Sequence, residues 1–226
     1  MDRDLIVLYR SVNGTRWAGP RPPDEDFKAE LLKDLAVVGS GISTWSGPAG
    51  NAARAIASAK DRRQIEPVCL LEIPEDLLAD LNIRVSHTPG ITLDAGLVDS
   101  HRTIECEGAR TLFRLVDGLS LNPSTRSFGK AEVGQLLRTS IDEGLDIGRL
   151  HHRRIDDLMS NGILSMPEGR EPLEALFNRN PCAVRDLKAE RVVALVQARV
   201  ITEDKAMEHH PGFLTALQKF NSSATR

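Results

Sequence analysis

Two carboxylates two residues apart, Glu105 and Glu107, are the most suggestive pair of side chains in this sequence. The segment His101 to Glu107 has the pattern of a β-strand, and its period of two places Thr103 and both glutamates on one face. Residues two apart on a strand are separated by roughly 7 Å, so both carboxylates could address one ligand and raise each other's pKa. The alternative is a charged strand edge that faces solvent and prevents edge pairing.

An arginine and a run of hydroxyl residues precede this carboxylate pair. Arg10 follows the apolar run Leu5 to Tyr9, where its guanidinium could bind a phosphate through two parallel hydrogen bonds or simply mark where a strand meets water. The segment 43–46, Ser-Thr-Trp-Ser, is a second strand candidate with hydroxyl groups on both faces. Its alternative interpretation is an ordinary β-prone segment.

The order of these motifs resembles the arginine-serine-glutamate class of ADP-ribosyltransferases. The matching segments are Leu-Tyr-Arg at 8–10, Ser-Thr-Trp-Ser at 43–46 and Glu-Cys-Glu at 105–107, so the resemblance covers at most residues 5–107. It implies an NAD site formed by Arg10, Ser43, Thr44 and Trp45, with NAD as a substrate. It also implies that Glu107 stabilises the ribosyl cation and that Glu105 helps to activate the acceptor.

The histidines and cysteines indicate no metal site. His151-His152-Arg153-Arg154 falls in a helical region, where adjacent residues point about 100° apart, and a solvated basic face is expected. His209-His210-Pro211 reads as a polar turn before a helix. Cys69, Cys106 and Cys182 are an odd number without C-x-x-C spacing, so they should be free thiols in a reducing, cytoplasmic compartment.

Composition and charge restrict the class of protein further. The chain has 226 residues with 41% hydrophobic and 4% aromatic residues and a net charge of −3, which is typical of a globular protein rather than a disordered one. Neither half is basic, so nucleic acid is an improbable partner. No run approaches the roughly 18 to 20 apolar residues of a membrane span, and the start Met-Asp-Arg-Asp does not resemble a signal peptide.

The elements that must position these residues change character along the chain. Residues 1–118 predict an α+β domain with about five strands and three helices, because apolar runs and alternation follow one another there. The strand candidates are 5–9, 42–46, 68–73, 83–87 and 101–107, and the helix candidates are 27–35, 52–59 and 75–81. Residues 119–129 have loop chemistry, and 129–226 carry the three-to-four-residue spacing of a helical domain.

Two functions from different classes follow. The first is NAD-dependent ADP-ribosyl transfer to an unknown acceptor by the N-terminal domain, with the helical part recognising the target, which could be a protein, or restraining activity. The second is a non-catalytic interaction protein, an inhibitor or adaptor, in which Arg10, Ser43 and Glu107 never converge. An enzyme requires these residues around one cleft, so geometry separates the two hypotheses.

Overall fold

The computed structural model describes residues 7–17, 29, 32–35, 41–106 and 108–224, apart from the side chains of residues 15, 16 and 224. It divides into two compact units. The sheet unit comprises residues 1–60 and 65–145, and the helical unit comprises residues 61–64 and 146–226. The predicted α+β class, with the strands first and the helices after them, is confirmed.

The sheet unit contains a six-stranded antiparallel sheet in the order β4-β5-β2-β1-β3-β6. The strands are β1 (Val7–Ser11), β2 (Gly41–Ser46), β3 (Val68–Pro74), β4 (Val85–His87), β5 (His101–Glu105) and β6 (Thr125–Phe128). Strand β2 therefore lies between β1 and β5, although the three strands are far apart in sequence. These are the strands that carry the sequence motifs.

Helices cover this sheet and connect its strands. They are α1 (Gly14–Trp17), α2 (Ala49–Ala57), α3 (Glu75–Asp80), α4 (Ala109–Leu121) and α5 (Lys130–Asp142), with a 3₁₀ helix at Ala95–Ser100. A proline with extended backbone, Pro48 or Pro74, precedes α2 and α3. Because proline has no N–H for a sheet ladder, it favours the end of a strand and the start of a helix at these points.

The main apolar core lies on one face of the sheet. There the alternate strand residues Leu8, Ile42, Ile73 and Ile104 are fully buried against α3 and α4. The residues between them point the other way, and α2 packs on β1, β2 and β3. Its run of small buried residues, with Ala52, Ala53 and Ala55 at most 1% exposed, allows a close approach.

The structure divides the chain later than the sequence suggested. The expected boundary at 119–129 instead holds the end of α4 and strand β6, and the division falls between residues 145 and 146. Strand β6 gave no apolar signal because it is a polar edge strand, Thr-Arg-Ser-Phe, that pairs with β3 on one side. The strand expected at 101–107 ends at Glu105, and the one expected at 5–9 is found at Val7–Ser11. Most of the helix expected at 27–35 lies outside the described residues.

The helical unit is built from α6 (His152–Ser160), α7 (Met166–Arg179), α8 (Ala189–Gln197), α9 (Glu203–His209) and α10 (Phe213–Ala224), with 3₁₀ helices at Ile147–Arg149 and Pro181–Asp186. Helix α6 packs on α7, and α8 packs on α10. Ser165 and Glu168 form a reciprocal cap at the start of α7, which satisfies backbone N–H groups that have no partner within the helix. The fully buried residues of the helical unit include Ile155, Leu158, Leu173, Val192 and Leu195.

The three cysteines are free thiols, as their odd number predicted. Burial raises the pKa of the Cys106 thiol, which agrees with an inert core residue. Among the described residues, no helix has both the length and the apolar character needed to cross a membrane.

Candidate functional site

Ser43 and His101 meet on the face of the sheet opposite the main core. Strands β2 and β5 pair so that Ser43 lies opposite Thr103 and Trp45 lies opposite His101. Since residues two apart on a strand share a face, Ser43 and His101 are diagonal neighbours. The Ser43 hydroxyl oxygen lies 2.6 Å from Nε2 of His101, and Ser43 is exposed.

The other ring nitrogen of His101 fixes the direction of this hydrogen bond. Nδ1 lies 3.1 Å from the backbone carbonyl oxygen of Thr88 and 2.8 Å from the Thr88 hydroxyl. A carbonyl oxygen can only accept, so we assign the ring hydrogen to Nδ1, and Nε2 then accepts from Ser43. Burial lowers the pKa of His101 despite the opposing effect of the Thr88 hydrogen bond, which keeps the ring neutral at physiological pH.

Neighbouring side chains hold the His101 ring in place. Trp45 packs against it edge to face, with ring centroids 5.0 Å apart, and the Thr88 hydroxyl lies 2.7 Å from that of Thr103. Gly90 is required on this loop, because a Cβ atom there would come within 2.4 Å of the Trp45 ring. The Gly90 N–H donates to the carbonyl of Val98 at 3.0 Å, which ties the loop to the turn that leads into β5.

Arg10 lies where the pairing between β1 and β2 stops. Strands β1 and β2 form two residue pairs, the last of which is Tyr9 opposite Trp45. By contrast, β1 forms five pairs with β3, and β2 forms five pairs with β5. Beyond that point the Arg10 guanidinium donates to the carbonyl of Ser43 from Nη1 at 2.9 Å and to the carbonyl of Asp34 from Nε at 3.3 Å. Burial lowers the pKa of Arg10, and nearby Asp34 opposes that shift.

The side chains of Thr44 and Trp45 have structural contacts. Thr44 is fully buried, and its hydroxyl donates to the carbonyl of Arg102 at 3.1 Å. Trp45 is 7% exposed and supports His101. Hydroxyl groups therefore lie on both faces of β2, as the sequence indicated. Within residues 43–45, the Ser43 hydroxyl is accessible to solvent and the Thr44 hydroxyl is buried.

Glu105 lies on the same face of β5 as His101 and Thr103, opposite Gly41 of β2. Its carboxylate is 3.3 Å from Nε of Arg84, and its side chain is 33% exposed. Glu107, the expected charge-stabilising residue, lies outside the described residues. Of the six predicted site residues, the structure thus brings Arg10 and Ser43 into contact and places Glu105 on the adjacent strand.

Sequence reasoning missed Thr88 and His101 as partners of Ser43. The alternation along 101–107 already placed His101 on the Glu105 face, whereas Cys106 points to the opposite face and is 5% exposed. The missing information was that β2 is the neighbour of β5. Nothing local in the sequence specifies that pairing.

The expectation of a solvated basic face at 151–154 is wrong. His152 is 8% exposed and Arg154 is 1% exposed, because α6 buries this side within the helical unit. His151 caps α6, with Nδ1 accepting from the backbone N–H of Arg153 at 3.3 Å. His210, by contrast, is in the expected turn, where Nδ1 accepts from the Gly212 N–H and Nε2 donates to the Leu187 carbonyl.

No protein-family model, curated protein or solved structure matches this chain. The function must therefore be argued from the site itself.

Proposed function

We propose that the sheet unit catalyses NAD-dependent ADP-ribosyl transfer to an acceptor. The observation that carries the proposal is the hydrogen bond from the Arg10 guanidinium to the Ser43 backbone carbonyl at the end of the β1–β2 pairing. It joins two motifs that are 33 residues apart in sequence, and the third motif follows on β5, the other neighbour of β2.

The end of the β1–β2 pairing suits a ligand with a negatively charged group. A backbone carbonyl of β2 that has no partner on β1 accepts from Arg10 instead, so the guanidinium is held at the border between the strands. Guanidinium groups bind phosphate through paired, charge-assisted hydrogen bonds. We assign the pyrophosphate of NAD to Arg10 on this basis.

The Ser43 hydroxyl is oriented before any ligand arrives. Its hydrogen is directed at Nε2 of His101, so the Ser43 oxygen offers its lone pairs to a donor on the ligand. The amide group of nicotinamide has such a donor. Trp45, Thr88 and Thr103 fix His101 and thereby act as positioning residues for Ser43.

The carboxylates complete the proposed chemistry. Breaking the bond between nicotinamide and ribose develops positive charge on the ribose, which a fixed carboxylate stabilises more in the transition state than in the ground state. We assign this role to Glu107, and we assign activation of the acceptor to Glu105, which precedes it by two residues at the end of β5.

Release of nicotinamide from NAD by the purified full chain tests this assignment. Glu107→Gln preserves size and removes the charge, so turnover should fall by roughly 10²–10³-fold, as when one electrostatic stabiliser is lost. The melting temperature should stay unchanged. Glu174→Gln, on an exposed face of α7, is the matched control and should retain full turnover. Glu105→Gln should reduce transfer to an acceptor and leave slow NAD hydrolysis.

A titration of NAD into the wild-type chain separates this proposal from its alternative. If the chain neither binds NAD nor releases nicotinamide with any acceptor offered, the transferase proposal fails and the non-catalytic interaction protein replaces it. If NAD binds and Glu107→Gln turns over as fast as the wild type, the assignment of Glu107 fails while the site remains.

A further inference from the structure

We propose that His151, His152 and Asp186 of the helical unit form a binding site for a divalent transition-metal ion, with Zn²⁺ as the representative ion. This inference does not depend on the activity proposed for the sheet unit. It rests on three side chains that each bring one donor atom to within 4.8 Å of the other two.

The backbone explains why adjacent histidines can share an ion here. His151 is the capping residue before α6 and has an extended backbone, whereas His152 is the first residue of the helix. The 100° separation of neighbouring helical side chains therefore does not apply to this pair. Their ring centroids lie 4.1 Å apart, and the two ring planes are tilted by 32° to each other. Asp186 approaches from the end of the 3₁₀ helix Pro181–Asp186.

The donor atoms make contacts that a bound ion would replace. Nδ1 of His151 accepts the capping hydrogen bond at 3.3 Å, so the ring hydrogen is on Nε2, and an ion at Nε2 requires that hydrogen to move to Nδ1 and the capping bond to open. Nε2 of His152 is buried and lies 3.2 Å from the carboxylate oxygen Oδ2 of Asp186. An ion between these two atoms would take over their contact.

Burial disfavours the charged form of both imidazoles. It lowers the pKa of His151 to about 4, and neighbouring His152 and Arg63 add to the effect. It also lowers the pKa of His152, although Asp186 opposes that shift.

The nearby cations limit the affinity. Arg153 lies 3.4 Å from the other carboxylate oxygen of Asp186, where it can orient the carboxylate while Oδ2 faces the histidines. Its positive charge and that of Arg63 oppose a second cation, so we expect a dissociation constant in the micromolar range rather than the far tighter binding of structural zinc sites.

Two imidazole nitrogens and one carboxylate oxygen match the ligands of zinc sites that keep an open position. Ligand atoms at about 2.0–2.2 Å from a tetrahedral Zn²⁺ lie roughly 3.3–3.5 Å apart, so the donors must close slightly. Asp186 can provide that movement because its side chain is 45% exposed. The same exposure leaves room for a water molecule as the fourth ligand.

The experiment is calorimetric titration of ZnCl₂ into the metal-depleted full chain, repeated with Co²⁺ to record its visible absorption. One ion per chain should bind, and bound Co²⁺ should show the intense absorption of tetrahedral coordination. Asp186→Asn, a same-sized change at a half-exposed position, should weaken binding at least 10-fold. His152→Gln should abolish Zn²⁺ binding. If this change at a buried position unfolds the chain, the affinity of Asp186→Asn alone tests the proposal.

Two control variants test whether the ion is held elsewhere. His209→Gln alters the other histidine pair, and Cys182→Ser removes the exposed thiol close to Asp186 in sequence. Both should bind Zn²⁺ as the wild type does. Binding that survives Asp186→Asn unchanged, or binding that is lost in either control, overturns the proposal, as does the absence of saturable binding by the wild-type chain.

Discussion

An arginine lies at the border between β1 and β2, and another lies at the border between β3 and β6. The two side chains have different surroundings. At the β3–β6 border, Arg126 forms an ion pair with Glu72, which also accepts from the Ser124 hydroxyl. At the β1–β2 border, the described hydrogen bonds of Arg10 go to backbone carbonyls. Arg126 is exposed and its pKa is raised by the Glu72 hydrogen bond, whereas burial lowers the pKa of Arg10.

This difference is the basis for the proposal that Arg10, rather than Arg126, binds a ligand. The pairing of β3 with β6 continues along the whole of β6, so Arg126 links two strands that the backbone already joins. The pairing of β1 with β2 stops, and Arg10 occupies the point where it stops. Arg10 is partly buried and hydrogen-bonded to neutral carbonyls with the charge of Asp34 nearby, whereas Arg126 is exposed and hydrogen-bonded directly to the Glu72 carboxylate.

The largest difference between the borders should be in activity. Arg10→Gln preserves a donor toward the Ser43 carbonyl and removes the positive charge, so kcat/KM for NAD should fall by about 10- to 100-fold, the worth of one charge-assisted hydrogen bond. Arg126→Gln should leave kcat/KM within about twofold of the wild type. Steady-state nicotinamide release measures both variants. Equal losses would show that the β1–β2 border has no special role.

A second difference should appear in how stability depends on pH. His101 has a lowered pKa when folded, so the folded chain binds fewer protons than the unfolded chain, and stability should decline as the pH falls below the ordinary value of 6.5. Glu72 also has a lowered pKa, because hydrogen bonds from Ser124 and Arg126 outweigh its burial, and its contribution should be lost only below the ordinary value of 4.5.

Urea unfolding between pH 7.5 and pH 3.5 would separate these two windows. His101→Gln should remove its own share of the decline that begins near pH 6.5, to which His151 and His152 also contribute through their lowered pKa values. Glu72→Gln should reduce only the decline at lower pH. A wild-type decline near pH 6.5 that persists unchanged in His101→Gln would assign that proton uptake to another group.

The smallest change in stability is expected for the substitution of Arg126 at the β3–β6 border. An exposed ion pair contributes little to stability, and the Arg126 side chain is 61% exposed. Arg126→Gln should therefore leave the urea midpoint at pH 7 unchanged within error, while Arg10→Gln lowers it because Arg10 is half-buried and hydrogen-bonded. A large loss in Arg126→Gln would mean that the ion pair holds β6 in the sheet.

Much of the local structure was predictable from the sequence. The apolar run before Pro74 predicted β3, the segment 42–46 was a strand candidate that matches β2, and the alanine-rich stretch predicted α2. Strand β6 was missed because a polar edge strand has no burial pattern to detect. The buried histidine and arginine of α6 were read as surface residues, since charged residues are seldom buried and local sequence does not show what packs over them.

The sequence by itself determined which residues alternate along each strand and therefore that His101, Thr103 and Glu105 share a face. Tertiary structure alone decided that β2 lies beside β5, which directs Ser43 to His101, and that the β1–β2 pairing stops at Tyr9, beside Arg10. It also decided that Asp186 meets the two histidines of α6. The physical reason is that periodicity is a property of neighbouring residues, whereas strand order and helix packing depend on backbone hydrogen bonds and buried contacts between segments far apart in the chain.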